Sequence, residues 1–125
     1  MPLTDFIAGL RSLGYEPEVA QQNFAVFDYE IELGALDGKL IRLALNGASF
    51  PLAPPGGLLV SPALLPLHPG GEHPHGGINP ADVGGFQDPT GDWQYWSRPY
   101  PGWRAGMDAG DYMAFVRGLF RNFPT

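Results

Sequence analysis

The chain contains no cysteine. Disulfides, thiolate metal sites and any thioester on this chain are excluded with it. Basic residues are scarce: 7 Lys and Arg stand against 13 Asp and Glu, for a formal net charge of −6. The few cations form no cluster, so neither nucleic acid nor an anionic membrane surface is an expected partner. No apolar run is long enough to span a bilayer. The opening Met1-Pro2-Leu3-Thr4 enters an amphipathic segment at once, without a leader pattern. The expectation is a cytoplasmic protein.

Hydrophobic residues make up 44% of the chain and charged residues only 16%. That balance belongs to a globular chain rather than a disordered one. At 125 residues, a single domain over 1–125 can hold one core without staples. Glycine (18) and proline (14) are plentiful. They concentrate in the middle and late chain, which predicts long ordered loops.

Residues 4–13 read as a helix. Thr4 is the predicted N-cap, Phe6, Ile7, Leu10 and Leu13 share a face, and Gly14 closes the helix. Residues 24–32 alternate as a half-buried strand, with Ala25, Phe27, Tyr29 and Ile31 inward and Val26, Asp28 and Glu30 outward. Asp37-Gly38 is a tight-turn signal. Residues 39–45 form a second strand, with Ile41, Leu43 and Leu45 inward and Arg42 outward. Asn46-Gly47 marks the next turn. Phe50-Pro51 through Gly57 is an extended crossing segment, since proline removes ladder donors. Leu58 to Ser61 is a short third strand. No period survives from Pro62 to Pro101; the aromatic residues there predict a packed loop. Residues 109–121 form the clearest helix. Tyr112, Phe115, Val116, Leu119 and Phe120 share its apolar face, Asp108 caps it and Asp111 favours its positive end. The fold class is α+β: N-terminal helix, antiparallel strand meander, long Pro/Gly-rich loop, C-terminal helix.

This order and punctuation resemble the ubiquitin-conjugating enzymes and their bacterial relatives. Phe50-Pro51 with Pro54-Pro55 stands where that family has its aromatic-Pro and Pro-Pro pair. His73-Pro74-His75 stands where it has His-Pro-Asn. Ser97 lies in the region of the family's cysteine, and Trp103 resembles its downstream tryptophan. The likeness of layout covers nearly the whole chain, through short motifs. The departures are specific. The cysteine is absent, and His75 replaces the asparagine. The stretch from His75 to Ser97 is longer than usual, and the eukaryotic enzymes' later helices have no counterpart. The resemblance implies a divergent bacterial branch associated with ubiquitin-like modification operons. It implies an activating enzyme and a ubiquitin-like protein as partners, and no cofactor.

In that setting Ser97 is the candidate nucleophile, holding an acyl group as an oxyester. A serine hydroxyl is weak at neutral pH and needs a base within hydrogen-bond reach. His73 and His75 titrate in the right range. His75 can take the serine proton or support the oxyanion, and Arg98 can stabilise developing negative charge. Asp92 can orient a histidine. The same Ser97 also reads as an ordinary turn serine. His68, His73 and His75 fall within eight positions, and with Glu72 or Asp92 they could bind zinc for a metal-dependent hydrolase. Their spacing matches no strong zinc signature, and a structural His-Pro loop is preferred. Trp93, Tyr95, Trp96 and Trp103 could grip a sugar or peptide; packing of the loop on the sheet is preferred. Asp82, Asp88 and Asp92 read as turn formers. A non-catalytic variant that binds the ubiquitin-like protein is the alternative to the oxyester enzyme.

Overall fold

The computed structural model describes residues 2–32, 36–61, 78–80, 93–96, 100, 102–104 and 106–121. The element order is α1 (Pro2–Ser12), β1 (Glu18–Ala20), β2 (Phe24–Glu30), β3 (Leu40–Asn46), β4 (Gly56–Ser61), β5 (Ile78–Pro80), β6 (Gln94–Trp96) and α2 (Ala109–Arg121). The strands form one sheet in the order β1-β2-β3-β4-β6-β5, with every pairing antiparallel.

Helix α1 begins at Pro2, not after Thr4. Proline at a first helical position brings a suitable φ and lacks only an N–H that would be unpaired there. Thr4 therefore lies inside the helix and does not cap it. The other end follows the expected Schellman pattern. Gly14 takes φ +97°, its N–H donates to the Arg11 carbonyl at 3.0 Å, and the Tyr15 N–H reaches the Leu10 carbonyl at 3.2 Å.

Strands β2 and β3 pair along their whole length, with Phe27 opposite Leu43 and Asp28 opposite Arg42. The predicted inward residues Ala25, Phe27, Tyr29, Ile41, Leu43 and Leu45 are all buried. Together with Phe6 and Leu10 of α1, Leu58 and Val60 of β4, Trp96, and Tyr112, Val116 and Phe120 of α2, they build the main core. Both helices thus cover the same face of the sheet. Each fully buried Val, Leu, Ile or Phe among them contributes about 1.5–3 kcal/mol. The helices approach closely: a Cβ on Gly9 would lie 2.8 Å from the Ala109 Cβ.

The opposite face is also buried near its centre, which the outward assignment of Val26 did not anticipate. Phe24, Val26, Ala44 and Leu59 form a second cluster, with Trp93 and Tyr95 packed against it. The register lays out a cross-strand row, Val26 beside Ala44, Ala44 beside Leu59, and Leu59 beside Tyr95. Direct neighbours of this kind are the pairs through which a sheet is stabilised.

The stretch from Pro62 to Pro101 is not one continuous loop. Two three-residue strands, β5 and β6, lie within it and extend the sheet. Pro80 sits in the edge strand β5, where a missing N–H is tolerated.

Helix α2 starts where the capping pattern places it. The Asp111 N–H donates to Asp108 Oδ1 at 2.9 Å, and the Asp108 N–H donates to Asp111 Oδ2 at 2.9 Å. This is a reciprocal capping box with aspartate in the place usually held by glutamate.

Candidate functional site

The candidate site is framed by β6 and by the chain that follows it. Trp96, the last residue of β6, is buried in the main core and packs against Phe120, with ring centroids 5.4 Å apart. Its indole N–H donates to Gln94 Oε1 at 3.2 Å. Gln94 is itself buried, so the bond pairs a buried donor with a buried acceptor on the helix-facing side of the sheet. Trp93 and Tyr95 face the other way, as their alternation predicts.

Four residues past Trp96 the chain is anchored again. Tyr100 packs on Phe115 with centroids 4.6 Å apart and edge-on to Trp103 at 5.4 Å. The Trp103 indole N–H donates to the Pro51 carbonyl at 2.8 Å. Phe50 lies between Phe6, at 5.1 Å, and Trp103, at 6.1 Å. The crossing segment and the chain after β6 are therefore strapped together over α1 and α2. The indole–carbonyl bond carries no local signal in the sequence.

Two register pairs define this end of the sheet. Asn46 faces Gly56 where β3 meets β4, and Ile78 faces Trp96 where β5 meets β6. The chain enters β5 and leaves β6 at that same end. Tyr112 of α2 backs the aromatic group. Burial raises its phenol pKa far above the ordinary value, and the Tyr95 phenol adds to the shift.

Ser97, Arg98, His73 and His75 lie outside the described residues, as do His68, Glu72, Asp82, Asp88 and Asp92. Ser97 directly follows Trp96, and His75 precedes Ile78 by three positions. Among the described residues no group of three His, Cys, Asp or Glu side chains is placed to hold a metal ion. No helix among them is long and apolar enough to cross a membrane. No protein-family model matches the chain, and no curated protein or solved structure matches it.

Proposed function

We propose that the chain is a ubiquitin-conjugating-enzyme-like protein that carries the C-terminal acyl group of a ubiquitin-like protein on Ser97. The observation that carries this reading is the Ile78–Trp96 register. Directly opposed residues in an antiparallel ladder have Cα atoms about 4.5–5.5 Å apart. Three residues of chain reach at most about 11 Å. The connections to His75 and to Ser97 therefore start from one end of the sheet, side by side. The buried Trp96 directly before Ser97 and the Trp103–Pro51 bond after it are two fixed points that support this reading.

In this mechanism the Ser97 hydroxyl attacks the activated carbonyl presented by the activating enzyme. His75 takes the hydroxyl proton and returns it to the group that leaves the acyl carbon. Arg98 or a backbone N–H supports the oxyanion. An acceptor amine then attacks the ester; His75 takes a proton from that amine and delivers it to the departing Ser97 oxygen, leaving an amide and a free hydroxyl. Esters are less reactive to amines than thioesters, so transfer depends on positioning.

The test mixes the protein with its activating enzyme, ubiquitin-like partner and ATP. A base-labile adduct is expected, absent in Ser97→Ala. An adduct that survives this substitution overturns the assignment. The absence of cysteine favours a second reading, a binding variant of the same fold; partner binding without any adduct, unchanged in Ser97→Ala, supports it.

A further inference from the structure

Among the described residues, one stretch of β2 has no strand paired with it on one side. β1 pairs with β2 only from Glu18 opposite Val26 to Ala20 opposite Phe24, whereas β2 continues to Glu30. The direction of the free groups follows from three bonds. The Ile31 N–H donates to the Lys39 carbonyl at 2.9 Å, the Gly38 N–H to the Ile31 carbonyl at 2.7 Å, and the Gly47 N–H to the Asn23 carbonyl at 3.0 Å. Odd positions of β2 thus face β3, and even positions face the other way. Phe24 and Val26 meet β1. The N–H and C=O of Asp28 and Glu30 face no strand among the described residues.

A cavity of about 330 Å³ opens beside this edge, lined by Gly14, Tyr15, Glu16, Glu18, Asp28 and Arg42. The margin is acidic. Arg42 pairs with Asp28 at 3.3 Å and Arg117 with Glu32 at 3.1 Å. Glu16, Glu18 and Glu30 are exposed and have no ion pair among the described residues.

The geometry points to this edge as a docking site for an extended basic segment of a partner protein, which adds as a strand beside Asp28 and Glu30. Residues opposite Asp28 and Glu30 exchange both main-chain bonds with them and project onto the same face as their carboxylates. Arginine or lysine belongs at those two positions. The residue between them projects to the other face, beside the half-buried Tyr15 ring, and is apolar. The recognised pattern is basic-apolar-basic. A second copy of this chain is a poor occupant, because its own edge would bring carboxylates against carboxylates. The site lies at the other end of β2 from the Asn46–Gly56 end of the sheet and does not rest on acyl transfer at Ser97.

The test uses a capped Thr-Arg-Val-Arg-Val-Thr peptide, read by fluorescence anisotropy and by amide NMR of the full chain. Binding is expected, with the Asp28 and Glu30 amides shifting and becoming protected from hydrogen exchange. N-methylation of both arginine amides should weaken binding by at least about tenfold, the loss expected when main-chain bonds worth about 1 kcal/mol each are removed. N-methylation of the intervening valine, whose amide points away, should leave it unchanged. Equal affinity for the arginine-methylated peptide, equal binding of a Glu-Val-Glu analogue, or shifts confined to other strands would overturn the proposal. So would a concentration-dependent dimer that protects the same two amides.

Discussion

Removing the Tyr29 hydroxyl should stabilise this protein. Tyr29 is 3% exposed, and its hydroxyl has no hydrogen-bond partner among the described residues. Its ring sits between Tyr15, at 6.1 Å, and Phe120, at 6.0 Å. A buried hydroxyl without a partner costs about 1–3 kcal/mol. Tyr29→Phe removes that cost and keeps the ring. Part of the gain is lost with the dispersion contacts of the oxygen, so the net expectation is about 1 kcal/mol. With a urea m-value of about 1.5 kcal/mol/M, the unfolding midpoint should rise by roughly 0.7 M at neutral pH.

The same substitution has a pH signature. Burial first, and the neighbouring Tyr15 second, push the Tyr29 pKa up to about 12 from 10.0. Between those values the unfolded chain has released the phenol proton and the folded chain still holds it. Stability is therefore full below pH 10 and falls as pH rises towards 12. At pH 11 the wild type should lose about 1.4 kcal/mol through this group, one pKa unit's worth. The advantage of Tyr29→Phe should widen by that amount between pH 8 and pH 11. A variant less stable than wild type at neutral pH, or a gap that does not widen, would refute the reasoning.

Three further outcomes follow from the packing. Asp108→Ala should cost about 1 kcal/mol in urea unfolding. Because the cap is reciprocal, the Asp108→Ala, Asp111→Ala double variant should cost less than the sum of the two single changes. Trp103→Phe should lose about 1 kcal/mol with its bond to the Pro51 carbonyl, with the far-ultraviolet circular dichroism unchanged. Gly9→Val should cost roughly 1–3 kcal/mol through overpacking against Ala109, read as a lower melting temperature.

The legible parts of the fold are those with strong local period or punctuation. Residues 109–121 have a wide apolar face and a capping pair, and α2 has those same bounds. Alternation in residues 24–32 and 39–45 marks the right inward face, because a two-residue period has only two phases, although the strands run Phe24–Glu30 and Leu40–Asn46. Threonine is a good cap only where a helix has not already begun, and Pro2 starts α1 two residues before Thr4. The short strands β1, β5 and β6 are three residues each. They are too short to show a period and exist through distant partners such as Leu59 opposite Tyr95. Burial of Val26 and Ala44 likewise depends on what covers the second face, not on their own neighbours in sequence. At the candidate site, the sequence groups Trp93, Tyr95, Trp96 and Trp103; the structure divides them, with Trp93 and Tyr95 on one face of the sheet and Trp96 and Trp103 in or against the main core. The register that starts the His75 and Ser97 connections together is not readable, since it rests on a pairing of Ile78 with Trp96 across the chain.

A cysteine-free chain allows this site to be measured with little background. The His75→Cys, Ser97→Cys double variant, oxidised under mild conditions, reports whether the two positions meet. A disulfide requires Cα atoms within about 7 Å. Rapid, near-complete intramolecular bridging is expected in the folded protein. Failure to bridge, with both thiols free to react with a small alkylating reagent, would contradict a shared site for His75 and Ser97.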